Sequence, residues 1–160
     1  MRHLISILLQ NEAGALARVA GLFASRGYNI ESLTVAATPD VEASRLTLVI
    51  FGDDGLVDQI IKQSRKLVDV IEIAELTRRD HLERELLVVR TDGAPERVDA
   101  CVQQFGARVL ERHGTSVLVE FTGQPDEVDR CLDALMRAAE LCEHARSGIA
   151  AIERAVLTMA

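Results

Sequence analysis

Asn11-Glu12-Ala13-Gly14-Ala15-Leu16 marks the point at which the sequence changes from the hydrophobic period of a strand to that of a helix. Residues 4–9 form an apolar run typical of a buried strand, and apolar residues recur at helical spacing after Ala15. A helix that starts at such a turn presents backbone N–H groups without intrahelical acceptors. The turn therefore suits a small zwitterion, whose carboxylate binds the N–H groups and whose ammonium binds the side-chain oxygen of Asn11.

The first half of the chain predicts six elements in the order βαββαβ. We expect strands over residues 2–10, 30–37, 44–51 and 68–76, and helices over 15–26 and 52–66. Gly27 is expected to end the first helix, and an aspartate of the Gly52-Asp53-Asp54 turn to cap the second. Tyr28 is interpreted as a packing residue.

The second half repeats this order with little residue identity. Its predicted strands cover residues 85–90, 107–112, 116–121 and 139–145, its predicted helices cover 95–105 and 124–136, and residues 146–160 are interpreted as a tail. The charged stretch 77–81 is the expected junction. The fold class is thus α+β, with two tandem ferredoxin-like βαββαβ domains at residues 1–77 and 78–160, each with two helices on one face of a four-stranded antiparallel sheet.

Composition excludes several classes of function. Aromatic residues make up 3% of the chain and its formal net charge is −7, so a nucleic-acid partner is not expected. The sequence has no apolar run of the roughly 20 residues that span a bilayer, and no membrane association is expected. A strand pattern at the N-terminus and three widely spaced cysteines indicate a cytoplasmic protein with reduced thiols.

Domain size predicts self-association. A domain of roughly 75 residues buries only about 60% of its unfolded surface and is marginally stable alone. The first strand also carries apolar residues on both of its faces. We therefore expect a partner to cover the second sheet face or the sheet edge, and predict at least a homodimer.

Catalytic and metal-binding patterns are weak in this sequence. His3, His81, His113 and His144 show no metal-ligand spacing, and Cys101, Cys131 and Cys142 include no C-x-x-C pair. The cysteines are interpreted as reduced, mostly buried thiols, with a zinc site or a catalytic thiol as the alternative. No nucleophile–base motif or Gly-rich phosphate loop is present, so we predict no catalytic residue and no metal site in this chain.

Several segments together resemble the bacterial acetolactate synthase (acetohydroxyacid synthase) small-subunit family. They are Asn11-Glu12-Ala13-Gly14-Ala15-Leu16-Ala17-Arg18-Val19, Gly21-Leu22-Phe23, Arg26-Gly27-Tyr28-Asn29-Ile30-Glu31-Ser32-Leu33-Thr34-Val35, Lys66-Leu67-Val68-Asp69-Val70 and Ala145-Arg146-Ser147-Gly148. The likeness covers essentially the whole chain and is looser between Thr91 and Leu141. It implies an N-terminal ACT domain, a ligand-binding form of the ferredoxin-like fold, followed by a C-terminal domain of related topology.

The resemblance also implies a function in branched-chain amino acid biosynthesis. Such a small subunit is not catalytic alone. It activates a large subunit that carries thiamine diphosphate, Mg²⁺ and FAD, and it confers feedback inhibition by valine or another branched-chain amino acid. The effector is expected at the interface of two ACT domains, and the matching residues are Asn11, Gly14, Ala15 and Leu16 from one chain and Asn29 and Ile30 from its partner.

Two other functions fit the residues. One is a free-standing amino-acid sensor that regulates a different protein, and the other is a small enzyme in its own right. The sequence shows no helix-turn-helix or basic segment, which counts against a sensor that acts as a transcription regulator. It also shows no nucleophile–base pair, which counts against an enzyme. The aliphatic pocket residues do not distinguish valine from leucine or isoleucine, and the surface that contacts the large subunit is not evident from the sequence.

Overall fold

A computed structural model of the chain describes residues 1–154, which form twelve elements. In the first half they are β1 (Arg2–Gln10), α1 (Ala15–Ser25), β2 (Ile30–Ala37), β3 (Ala43–Phe51), α2 (Asp54–Ser64) and β4 (Val70–Glu75). In the second half they are β5 (His81–Asp92), α3 (Pro95–Phe105), β6 (Arg108–His113), β7 (Ser116–Gly123), α4 (Pro125–Ala138) and β8 (Glu140–Glu153). The predicted βαββαβ order is confirmed in both halves.

The chain divides into two compact units. The first unit comprises Met1–Leu82 together with residues 149–154, and the second unit comprises Glu83–Gly148. The predicted domain boundary after residue 77 lies a few residues before this division. Each unit holds one four-stranded sheet, as the ferredoxin-like prediction requires, with strand orders β2-β3-β1-β4 and β6-β7-β5-β8.

The core of the first unit lies between its sheet and its two helices. β1 and β3 are antiparallel central strands, with Ile5 opposite Leu48 and Ile7 opposite Leu46. Alternate residues of a strand point to the same side of the sheet, so these aliphatic side chains share one face. They pack against an apolar stripe of the helices that includes Val19, Phe23, Val57, Ile60 and Ile61.

The opposite face of the first sheet is covered in part by the end of β8. Ile149 packs into a buried cluster with Leu4, Val49 and Leu76, and its backbone N–H donates to the Ser32 hydroxyl at 3.1 Å. The interpretation of residues 146–160 as a tail is wrong up to Glu153, where β8 ends; residues 155–160 lie outside the described part of the chain. The chain itself thus covers apolar surface for which we had expected a partner.

The second unit is held by a smaller aliphatic core and by a buried ion pair. Leu87, Val89 and Val119 pack against α3 and α4. Arg146 of β8 donates through Nε and Nη2 to the two carboxylate oxygens of buried Glu85, at 2.9 and 2.6 Å. These hydrogen bonds and a third bond to Asp129 raise the pKa of Arg146 against the opposing effect of burial, so Arg146 stays charged at any physiological pH.

Helix ends follow local sequence signals. Asp53 caps α2, since its side chain accepts from the Gly55 N–H at 2.9 Å, which confirms the predicted aspartate cap. Pro95 occupies the first turn of α3, also as predicted. Gly27 has a φ of +77° directly after α1 and permits the turn into β2.

Candidate functional site

The turn between β1 and α1 is fixed by the side chain of Asn11. Its Nδ2 donates to the Val41 carbonyl at 3.0 Å, and its Oδ1 accepts from the Ser44 hydroxyl at 2.9 Å. The Asn11 N–H donates to the Glu42 carbonyl at 2.7 Å. An amide oxygen has two lone pairs, so Oδ1 retains one acceptor position after Ser44. The orientation of this amide is therefore set by three contacts with β3 and the loop before it.

Gly14 precedes α1 in a conformation that favours glycine. Its φ is +88°, in the left-handed region. A Cβ at this position would lie 2.8 Å from Nη1 of Arg18. The backbone conformation therefore favours glycine, and any other side chain would also have to displace the Arg18 guanidinium.

The first amides of α1 are only partly available to a ligand. The Ala15 N–H donates to the Glu12 carbonyl at 3.2 Å within the turn. Glu12 lies outside α1, so Ala15 lacks an intrahelical acceptor as expected, but its N–H is occupied by this contact within the turn. The Leu16 N–H has no acceptor within residues 1–154. The first turn of α1 also contains no acidic residue, although Glu12, which precedes the helix, lines the adjacent cleft.

The ion pair between Arg18 and Asp69, which the sequence did not reveal, connects α1 to the segment before β4. Arg18 donates through Nε and Nη2 to the two oxygens of buried Asp69, both at 2.6 Å. The backbone carbonyl of Asp69 in turn accepts from the Gln10 N–H at 2.8 Å. The hydrogen bonds from Arg18 hold the pKa of Asp69 below its usual value, against the opposing effect of burial. β1, α1 and the approach to β4 are thereby joined at one point.

A cleft of about 250 Å³ opens between the start of α1 and the end of β2. Its lining residues are Leu9, Gln10, Asn11, Glu12, Ala15, Leu16, Val35, Ala36, Ala37 and Ser44. Polar groups at the Asn11 end thus face an aliphatic wall formed by Leu9, Leu16 and Val35. The structure brings Asn11, Ala15 and Leu16 together in this cleft, whereas Gly14 shapes the turn without lining it.

Asn29 and Ile30 lie at the other end of β2. Ile30 pairs with Ile50, whereas Ala37 pairs with Ser44 at the cleft. Seven strand steps of about 3.3 Å separate the two ends by roughly 23 Å. Asn29 is exposed, and Ile30 is half-buried against the core of the first unit. One chain therefore does not bring these two residues to the Asn11 turn.

Other candidate residues have structural surroundings. Buried His3 contacts Glu75 through Nδ1 at 2.7 Å, and Tyr28 packs edge-to-face on Phe23, with ring centroids 6.5 Å apart. Burial raises the pKa of the Cys131 thiol to about 11, so it stays protonated at neutral pH. Within residues 1–154 no group of three or more His, Cys, Asp or Glu side chains could hold a metal ion.

Sequence reasoning missed Arg18, Asp69, Val35 and Ser44 as parts of this site. Arg18 and Asp69 are 51 residues apart, and no period in the sequence links them. Val35 and Ser44 did carry a signal, because the turn at residues 38–40 makes β2 and β3 a hairpin that brings residues on either side of it together.

Among the described residues, no helix is long and apolar enough to cross a membrane.

Comparison with known proteins gives a consistent assignment. Residues 5–72 match the model of the AHAS small subunit-like ACT domain, and residues 83–155 match that of the small subunit of acetolactate synthase. The isozyme 3 small subunit of Salmonella typhimurium is 42% identical over 157 residues, covering 96% of each chain. A probable acetolactate synthase small subunit of Archaeoglobus fulgidus is 43% identical, covering 96% of this chain and 98% of the relative.

A solved structure shares the whole fold. The crystal structure of the acetolactate synthase small subunit from Thermotoga maritima superposes with a TM-score of 0.86 at 31% sequence identity, covering 96% of this chain and 98% of that one. Both family matches, the full-length relatives and this structure agree in their assignment. The chain belongs to the acetolactate synthase small-subunit family, and its first unit is an ACT domain.

Proposed function

We propose that this chain is a regulatory subunit that activates the catalytic subunit of acetolactate synthase and confers feedback inhibition by valine. The observation that carries the proposal is the cleft at the Asn11 turn, which has the polar and apolar groups for a small aliphatic amino acid but is open on one side. Catalysis, with thiamine diphosphate, Mg²⁺ and FAD, belongs to the partner in this proposal.

Valine fits the groups of the cleft. Its carboxylate would accept from the Leu16 N–H at the positive end of α1. Its ammonium would donate to the remaining lone pair of Asn11 Oδ1, which Ser44 holds in place at 2.9 Å. Its isopropyl group would contact Leu16 and Val35, two side chains that are partly exposed in the single chain. A ligand of this size has few heavy atoms, so micromolar to millimolar affinity is expected, from a ceiling of about 1.5 kcal/mol per atom.

A second copy of the chain would complete the site. β2 is an edge strand of the first sheet, with β3 as its neighbour. Two β2 edges that pair antiparallel about a two-fold axis put the Ile30 end of one strand beside the Ala37 end of the other. Asn29 of the second copy would then reach the cleft with another amide, and its Ile30 with another apolar surface. This arrangement accounts for the roughly 23 Å between the two halves of the site within one chain.

Reconstitution with the acetolactate synthase catalytic subunit of the same organism tests the proposal. We expect the purified chain to raise the rate of acetolactate formation, and valine to reduce that rate again. The chain without the catalytic subunit serves as the control. An unchanged rate over a full titration of the chain would overturn the proposal.

Calorimetric titration of the same complex with valine, leucine and isoleucine identifies the effector. We expect heat of binding for at least one of the three, and sedimentation of the chain as a dimer. A monomer at micromolar concentration that nevertheless binds the effector with the same affinity would contradict a site shared between two chains.

A further inference from the structure

Three arginines line an open groove between α3 and α4 of the second unit. The groove has a volume of about 490 Å³, and Arg97, Arg130 and Arg137 form its walls. Small or apolar side chains line the rest, namely Ala100, Cys101, Phe105, Ala134 and Ala138, together with polar Gln104. No carboxylate is among the lining residues, although the chain as a whole carries a net charge of −7.

The positive charge of this groove is poorly compensated. Elsewhere in the second unit, Arg90 and Arg146 each donate to a carboxylate oxygen at 2.6 Å. Arg97 instead donates to the backbone carbonyl of Arg137 at 2.6 Å. The guanidinium of Arg137 has no carboxylate partner within residues 1–154. Arg130 lies 3.6 Å from Asp126 in a pair whose side chains are both exposed, and such pairs contribute little.

The spacing of the arginines indicates an elongated occupant. Arg130 and Arg137 are seven residues apart on α4, or about 10.5 Å along the helix axis. This distance exceeds the span of one phosphate or carboxylate group. It matches two carboxylates seven residues apart on one face of another helix. The alanines between them allow a close approach, since helices with small contact residues pack at about 8 Å between axes.

A pocket in the helix layer of the first unit carries less positive charge. A pocket of about 210 Å³ on α2 is lined by Arg26, Tyr28, Leu56, Gln59, Ile60 and Gln63. Its single arginine donates to the Gln63 side chain at 2.6 Å. The three arginines of the groove in the second unit are therefore not repeated in this pocket of the first unit.

We propose that the groove between α3 and α4 is a docking surface for an acidic helix of the catalytic subunit. This inference rests on the proposed function, because it takes the catalytic subunit as the partner. Arg130 and Arg137 bind carboxylates of the docked helix, and Ala134 lies against its backbone. Arg97 fixes the end of α4 through the Arg137 carbonyl and adds to the positive potential.

A pair of matched charge reversals tests the surface in the reconstituted enzyme. In Arg130→Glu/Arg137→Glu, we expect the concentration of chain that gives half-maximal activation to rise about tenfold or more, because two attractions become repulsions. The control is Arg90→Glu/Arg108→Glu, which makes the same change of charge on the strands of the same unit. We expect the control to activate at nearly the wild-type concentration and both variants to keep the wild-type circular dichroism.

A neutral variant tests the same groove by steric blocking instead of charge reversal. Ala134→Phe fills the groove without changing charge, and we expect a similar rise of the activation midpoint. For the wild type, the midpoint should rise with NaCl between 50 and roughly 500 mM, because salt screens exposed ion pairs; this dependence should be lost in the double reversal.

The results separate the two proposals. Wild-type chain that fails to activate the catalytic subunit overturns the proposed function itself. Wild-type activation with equal midpoints for the groove reversal, the control reversal and Ala134→Phe leaves the proposed function standing and overturns the docking surface.

Discussion

The two β–α turns that open the two units have the same place in the fold and opposite chemistry. In the first unit, Gly14, Ala15 and Leu16 leave an N–H at the start of a helix whose first turn contains no acidic residue. In the second unit, α3 begins with Pro95, which has no N–H, followed by Glu96, a carboxylate in the first turn. Under the proposed function, a ligand carboxylate would be accommodated at the first turn and repelled at the second. Duplication of the fold would then not duplicate the site.

The pockets in the two helix layers also differ, but here the second unit has the greater positive charge. The groove between α3 and α4 of the second unit is lined by three arginines with little charge compensation, whereas the pocket on α2 of the first unit has one arginine bonded to a glutamine. Under the two proposals, small-molecule recognition belongs to the first unit and protein recognition to the second. The following changes would break or sharpen that division.

Removal of the buried ion pair of the second unit should have the largest effect. Arg146→Met leaves the carboxylate of Glu85 buried without its cation. We expect the free energy of unfolding to fall by about 3 kcal/mol, the lower end for a broken buried pair. Arg108→Met, which removes an exposed pair with Glu120, is the control and should cost less than about 1 kcal/mol. Equal losses in denaturant unfolding would show that the Glu85 pair does not hold this unit together.

A charge at the first turn should remove effector response. Gly14→Asp and Gly14→Asn have side chains of nearly equal shape, and both are tolerated at positive φ better than most residues. The aspartate adds a negative charge beside the ligand carboxylate and competes with Asp69 for Arg18. We expect at least about tenfold weaker valine inhibition for aspartate than for asparagine, which corresponds to about 1.4 kcal/mol. Activation without valine should persist, and equal inhibition constants would contradict the placement of the carboxylate.

Transfer of one feature of the second turn into the first should have a smaller effect. Leu16→Glu introduces the first-turn carboxylate that Glu96 provides in the second unit. We expect valine inhibition to weaken severalfold relative to Leu16→Gln, because a negative charge at the helix start is worth up to about 1 kcal/mol. If the two variants have the same inhibition constant, the helix start does not bind the effector carboxylate.

The Arg18–Asp69 pair should contribute a component of stability that depends on pH. The pKa of Asp69 is lowered in the folded state, so the stabilisation is fully present above the usual carboxyl value of about 4 and is lost as the pH falls through the lower folded value. The difference in unfolding free energy between wild type and Asp69→Asn should therefore shrink as the pH is lowered from about 5 to 2. A constant difference over this range would contradict the ion pair.

The sequence predicted what depends on local order and missed what depends on distant contacts. Periodicity and caps such as Asp53 and Pro95 were sufficient for the element order, and the glycine turn located the cleft. The length of β8 was missed because Glu143, Arg146 and Ser147 interrupt the apolar alternation, while their partners lie on other elements. Arg18 and Asp69 were missed for the same reason. Tertiary partners of polar residues leave no period in the sequence.

The central claim is that the effector site is shared between two chains, and mixed dimers test it directly. Gly14→Asp damages the turn, and Asn29→Ala damages the contribution from the partner, so neither homodimer should bind valine well. Random exchange makes about half of the dimers mixed, and each mixed dimer has one intact site and one doubly damaged site. Calorimetry of the equal mixture should therefore recover about a quarter of the wild-type number of valine sites. Recovery of no sites after verified subunit exchange would contradict the shared site.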